Sequence, residues 1–160
     1  MNHYITTLAV LHATSVKKIE DILSDYQWNF AERMLPPNNS NNIFVFGSNL
    51  SGFHGGGAAL YASRHRGAEM GVGVGITGNC YALPTKDEKI ETLPLAEIAK
   101  YVEDFLLLAK KQSDRTFHLT PVGCGLAGLN ANDIAPMFEN APINVVMPGL
   151  FFEVILRNRI

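Results

Sequence analysis

Three groups of residues in this chain have types and spacings suited to chemistry on a phosphorylated sugar. The first is the glycine-rich stretch Phe44-Val-Phe-Gly-Ser-Asn-Leu-Ser-Gly-Phe-His-Gly-Gly-Gly-Ala-Ala59, and the second is Phe117-His-Leu-Thr-Pro-Val-Gly-Cys-Gly-Leu-Ala-Gly-Leu129. In each, a short β-branched or aromatic run turns through several glycines into a helical pattern. Glycine lets backbone approach a ligand closely, and consecutive exposed N–H groups make a nest for anionic oxygens. The helix start behind such a loop adds a favourable dipole for phosphate. The third group is Lys86, just beyond the strand-like run Cys80–Leu83. A lysine there can hold phosphate as a point charge, or act as an amine nucleophile toward a sugar aldehyde when desolvated. Asp87, Glu88 and Lys89 follow it, so a surface lysine in a charged loop fits the same residues. Two glycine loops in one small domain point to a diphosphate or phosphoribosyl ligand held between them.

Inside the first loop, Asn49 follows the strand directly. Its amide can hold ribose hydroxyls through donor and acceptor together, or satisfy its own turn. Gly55-Gly56-Gly57 does not match a Walker A loop, because no Gly-Lys-Ser/Thr follows, nor does it match a nicotinamide fingerprint. Three consecutive glycines suit close approach of a sugar or phosphate. His54 beside them is a candidate proton carrier or ligand contact, and equally an ordinary loop histidine. Cys124, between two glycines, has the small side chain a crowded loop tolerates; a thiolate nucleophile would need a nearby base. Asp133 reads as a first-turn helix carboxylate.

These residues need elements to position them. Residues 4–11 read as a strand, and Ser15 can cap a helix from about Val16 to Met34 with Ile19, Ile22, Leu23, Tyr26 and Phe30 on one face. The polar run Pro36 to Asn42 ends it, so residues 1–40 form a strand–helix extension that can be an appended unit. A core over residues 43–148 follows. Its strands are expected at Ile43–Gly47, Cys80–Leu83, Thr116–Thr120 and Ile143–Met147, with a glycine-broken stretch at Gly71–Gly75. Its helices are expected from Gly57 to about Arg66, from Pro94 to Lys111, and from Asn130 or Asn132. Pro94 suits a first helical position, and Leu95, Ile98, Ala99, Val102, Phe105, Leu106 and Ala109 give an apolar face. Residues 149–160, with Phe151–Leu156, read as an edge strand or tail. Alternating strands and helices imply an α/β fold, a three-layer α/β/α sandwich around a mixed sheet. Ligands in such sheets sit beyond the carboxyl ends of the strands, where both glycine loops and Lys86 fall.

Composition narrows the class further. At 160 residues, 47% apolar and 18% charged, the chain reads as one globular domain with a real core. Thirteen basic against 15 acidic residues leave a net charge of −2, so no overall field recruits nucleic acid, and no sequence-specific nucleic-acid binding is expected. Two cysteines and five scattered histidines carry no HExxH or CxxC spacing, so neither a metal nor another cofactor is expected. The low cysteine number suits a cytoplasmic protein. No apolar run approaches the roughly 20 residues of a membrane span, and no targeting signal is evident.

Taken together, these motifs resemble the macrodomains, the ADP-ribose-binding α/β/α family. Val45-Phe-Gly-Ser-Asn49 followed by Gly55-Gly-Gly-Ala-Ala59 resembles the family's asparagine-containing first loop, and Pro121-Val-Gly-Cys-Gly125 resembles its diphosphate loop. Tyr81-Ala-Leu-Pro-Thr-Lys86 and Gly123-Cys-Gly-Leu-Ala-Gly-Leu129 are most similar to the lysine-dependent ADP-ribose hydrolases. That branch includes enzymes acting on ADP-ribose esters of glutamate and bacterial antitoxins that remove ADP-ribose from DNA. The resemblance spans roughly residues 43–148. It implies that Pro121 and the backbone of Gly123, Cys124, Gly125, Leu126, Ala127 and Gly128 hold the diphosphate. It implies that Asn49, Gly55, Gly56 and Gly57 hold the distal ribose, with Gly47, Ser48 and Ala58 as further ligand contacts, and that Lys86 is catalytic; His54 beside the glycines stays a candidate proton carrier on the residue reading alone. Some members carry an aspartate where this chain has Ala127; the DNA-acting members lack it. The family's adenine-reading Gly-Asp element has no counterpart upstream of Ile43. Partners implied are ADP-ribose and ADP-ribosylated protein or DNA. A non-catalytic ADP-ribose reader, and an interaction protein recruiting a partner through residues 1–40 with a vestigial pocket, are the alternatives.

Overall fold

The centre of the sheet is strand β1 (Asn42–Asn49), in which every side chain from Ile43 to Phe46 is buried. Ile43 and Val45 enter one core cluster while Phe44 and Phe46 enter another. A strand apolar on both faces belongs in the interior of a parallel sheet. The computed structural model describes residues 35–159, so the strand expected at 4–11 and the helix at 16–34 lie outside the described residues. Of the expected extension, residues 35–40 are described. Pro37 O accepts from Arg66 Nη1 at 3.0 Å and Asn38 Nδ2 donates to His65 O at 3.0 Å, which fastens this run to the first helix.

After β1 come α1 (Gly57–His65), β2 (Gly75–Thr77), β3 (Cys80–Lys86), α2 (Leu95–Lys111), β4 (Thr116–Leu119) and α3 (Ala131–Ile134). A 3₁₀ turn (Ala135–Phe138), β5 (Val145–Val146) and α4 (Gly149–Arg159) complete the described chain. The protein is α/β, with a five-stranded mixed sheet ordered β2-β3-β1-β4-β5. Only β2 runs antiparallel to its neighbour. β1 pairs in parallel with β3 (Phe46 opposite Ala82) and with β4 (Phe44 opposite His118).

Helix α2 forms as its periodicity predicts. Ile98, Val102, Phe105 and Ala109 are buried at successive turns, with Glu97 in the first turn and Lys110 and Lys111 in the last, matching the helix dipole. Pro94, at φ −57° and ψ 146°, is the N-cap rather than the first helical residue. Phe105 meets the rings of Tyr81, Phe117 and Phe138, joining helix and sheet.

The expected edge strand or tail over Phe151–Leu156 is instead part of helix α4. Phe151, Phe152, Val154, Ile155 and Leu156 are buried in the same cluster as α2, so this segment continues the core. The apolar run Phe-Phe-Glu-Val-Ile-Leu has strand-like local preference, but packing overrides it. Pro148 O accepts from both Phe151 N and Phe152 N to open the first turn, Phe151 stacks on Phe138 at 5.6 Å, and Glu153 pairs with Arg157 one turn on. The expected strand at Ile143–Met147 contracts to Val145–Val146, because Val145 N turns back to Pro142 O and leaves Ile143 exposed.

Candidate functional site

The chain leaves β1 toward α1, whose Ala59 and Ala62 join the Phe44–Phe46 cluster, whereas the chains leaving β3 and β4 run to helices that join the Ile43–Val45 cluster. Adjacent parallel strands whose connections diverge in this way open a crevice at their carboxyl ends. A cleft of about 730 Å³ lies there, lined by both glycine loops and by Lys86.

The first loop is braced by Asn49. This residue is 8% exposed; its Nδ2 donates to Phe53 O at 2.8 Å, and its Oδ1 accepts from Phe53 N at 3.0 Å and Ser51 Oγ at 2.7 Å. The amide therefore ties its own loop together while lining the cleft. Ser48 turns its hydroxyl away, donating to Gly73 O at 2.5 Å. A Cβ on Gly73 would sit 2.3 Å from Asn49 O, so the glycine-rich 71–75 run is what lets this backbone pass behind the loop. Gly55, Gly56, Gly57 and Ala58 line the cleft, with Gly56 as the N-cap of α1. The first intrahelical bond is Leu60 N to Gly56 O, leaving the amides of Gly57, Ala58 and Ala59 ahead of it as the free first-turn donors. His54 is fully buried and does not line the cleft. Its Nε2 lies 2.9 Å from Glu69 O, where only an N–H can satisfy the carbonyl, and its ring stands edge-on to Phe46 at 5.1 Å. The loop thus rests on His54 rather than presenting it.

The second loop is shaped by its own backbone. Cys124 N donates to Pro121 O at 3.1 Å, Gly128 N to Gly125 O at 3.0 Å and Leu129 N to Gly123 O at 2.8 Å. Gly123 at φ 79° and Gly128 at φ 72° supply the left-handed turns. Gly128 thereby spends its N–H inside the loop and stays off the cleft wall. The N–H groups of Gly125, Leu126 and Ala127 donate to nothing among the described residues. Three consecutive unpaired amides on a turn are candidate donors for an anion nest. Pro121, Gly123 and Cys124 also line the cleft. Burial raises the Cys124 thiol pKa, which disfavours a thiolate. The two loops touch: a Cβ on Gly56 would lie 3.2 Å from Leu126 Cδ1.

Lys86 ends β3 opposite Asn49, and its carbonyl accepts from Leu50 N at 3.0 Å, so its backbone is pinned to the first loop. Among the described residues it is the one charged side chain in the cleft lining, and it makes no ion pair or hydrogen bond there. Gly47 lies on the floor, where an added Cβ would be 3.5 Å from Gly123 N. Sequence reasoning missed Phe53, Ala59, Thr85, Ile90, Thr120, Val122 and Leu150 as lining residues. Thr85 neighbours Lys86 and carried a usable signal; Leu150 came within reach only through the unforeseen helix α4. Among the described residues no group of three or more His, Cys, Asp or Glu side chains could hold a metal ion, and no helix is long and apolar enough to cross a membrane.

Comparison of the chain with protein-family models, with curated proteins and with solved structures returns no match. The site's chemistry therefore carries the functional reading by itself.

Proposed function

We propose that this chain binds ADP-ribose or a related nucleotide-sugar diphosphate and hydrolyses ADP-ribosyl linkages on protein or DNA. One observation carries the reading: residues of two glycine loops with unpaired amides, and an unpaired lysine, line a single cleft at the carboxyl ends of the sheet strands. The Gly125–Ala127 nest takes the diphosphate, and the first-turn amides of α1 with Gly55–Gly57 take the distal ribose. Lys86 Nζ stabilises charge on the atom leaving the anomeric carbon while water adds there, giving free ADP-ribose and the protonated leaving group. Preorganised donors of this kind contribute a few kcal/mol to a transition state. His54, packed beneath the loop, takes no part in this step.

The three-layer α/β/α form of a macrodomain belongs to the same proposal. It is supported by the alternation of β1 side chains between two core clusters, one holding α1 and the other α2, α3 and α4. A cytoplasmic setting is proposed with it, on two free cysteines. The cleft holds no carboxylate among its described lining residues, and this favours a second reading, a non-catalytic ADP-ribose reader. Turnover of ADP-ribosylated protein and DNA by wild type and Lys86→Ala separates the two. Multiple turnovers by wild type, reduced at least about a hundredfold in the variant, support hydrolysis; a loss of that order is what removal of one preorganised donor costs. Stoichiometric binding without product supports the reader, and equal turnover by both proteins refutes the role of Lys86.

A further inference from the structure

Among the described residues, Ile90 is the one residue other than glycine with a positive φ, at 64°. A β-branched residue in the left-handed region collides with its own backbone and persists only where its surroundings over-determine it. Here they do. Asp87 Oδ1 accepts from Lys89 N at 2.8 Å and Glu91 N at 2.9 Å, Ile90 N donates to Asp87 O at 3.1 Å, and Asp87 N donates to Glu91 O at 2.8 Å. Thr92 then closes the turn by pairing with Lys86, and its hydroxyl donates to Ala127 O at 2.9 Å. The turn is therefore fastened to the lysine strand on one side and to the anion nest on the other.

Glycine or asparagine at position 90 would make this turn without strain. Core packing does not ask for isoleucine either, since Ile90 joins neither core cluster. Its side chain is 45% exposed and lines the cleft with Lys86. We infer that Ile90 is a specificity-determining residue, an apolar wall beside Lys86 that packs on the C–H face of the distal sugar. The inference rests on the ADP-ribose reading above. A β-branched side chain is stiff about χ1, so on a pinned turn it offers a preformed surface that a ligand need not order. Such a wall favours ligands that carry the second sugar over those that end at the diphosphate.

The test is calorimetric titration of wild type, Ile90→Gly and Ile90→Ala with ADP-ribose and with ADP, alongside thermal melting. Both variants should bind ADP-ribose about tenfold more weakly, which is 1.4 kcal/mol, with ADP affinity changed less than about twofold. Ile90→Gly should also melt higher than wild type, because it releases the strained φ; Ile90→Ala retains a Cβ and should not gain. Ile90→Gly binding ADP-ribose like wild type, losing both ligands equally, or melting lower overturns the inference. Failure of wild type to bind ADP-ribose overturns the reading of the cleft itself and is seen before any variant is compared.

Discussion

Replacing Asn49 by alanine should loosen the first glycine loop as well as weaken ligand binding. The side chain makes three hydrogen bonds, two of them to the backbone of Phe53 and one to Ser51 Oγ. Each is worth about 1 kcal/mol net, and a buried group left unpaired costs more. Both bonds to the Phe53 backbone are only partly buried, which sets the expected loss near the low end, about 2 kcal/mol. For a chain of this size that is a fall in Tm of roughly 6 °C. Urea unfolding gives the free energy, differential scanning fluorimetry the midpoint, and titration with ADP-ribose the binding loss in the same preparation. Asn49→Asp is the informative companion. It keeps an acceptor for Phe53 N but sets a carboxylate against Phe53 O, and it should be no more stable than the alanine variant. An Asn49→Ala protein that melts within about 1 °C of wild type yet no longer binds ADP-ribose would refute the argument, because the amide would then serve the ligand alone.

Two glycines of the second loop should separate folding from binding. Gly123 sits at φ 79° and an added Cβ would lie 3.3 Å from Leu129 Cδ1, so Gly123→Ala should lose about 1–2 kcal/mol in urea unfolding. Gly125 has open space around its Cβ position and no positive φ, so Gly125→Ala should be stable within about 0.5 kcal/mol, while its methyl crowds the diphosphate and weakens binding; unchanged affinity would argue against close approach of the diphosphate to Gly125. His118 supplies a pH signature. Burial, with a smaller contribution from the Arg66 charge, lowers its pKa from 6.5 to about 4, so the unfolded chain takes up the proton first. Its stabilising effect is full above about pH 6.5 and is lost as the pH falls toward 4, by an amount on the order of a few kcal/mol. His118→Gln should lose less stability than wild type between pH 7 and pH 5, measured by urea midpoints; parallel losses in both proteins would contradict this.

Much of the scaffold was legible because the buried strands and α2 carry patterns that only one arrangement satisfies. Ile43–Phe46 is apolar on both faces and so had to be central, and the period of Ile98, Val102, Phe105 and Ala109 left no alternative to a helix. The cleft was legible for the same reason: both glycine loops follow strands, and strand ends converge at one edge. Three features were not. Helix α4 arises from contacts with α3 and the 3₁₀ turn, while its local composition favours a strand. The role of Asn49 rested on whether Phe53, four residues on, folds back to meet its amide, which no spacing rule decides. Ile90 gave no hint, since the sequence Asp87-Glu-Lys-Ile-Glu91 places no glycine or asparagine where the turn demands a left-handed residue.

The central claim is that the two loops and Lys86 form one site for a sugar-bearing diphosphate. Calorimetric titration of the purified protein with ADP-ribose, with ADP and AMP as controls, tests it most directly. The account predicts saturable, one-to-one binding of ADP-ribose with a micromolar Kd, clearly tighter than ADP, because the distal ribose reaches Gly55–Gly57 and Ile90. No heat and no thermal shift with ADP-ribose would contradict it.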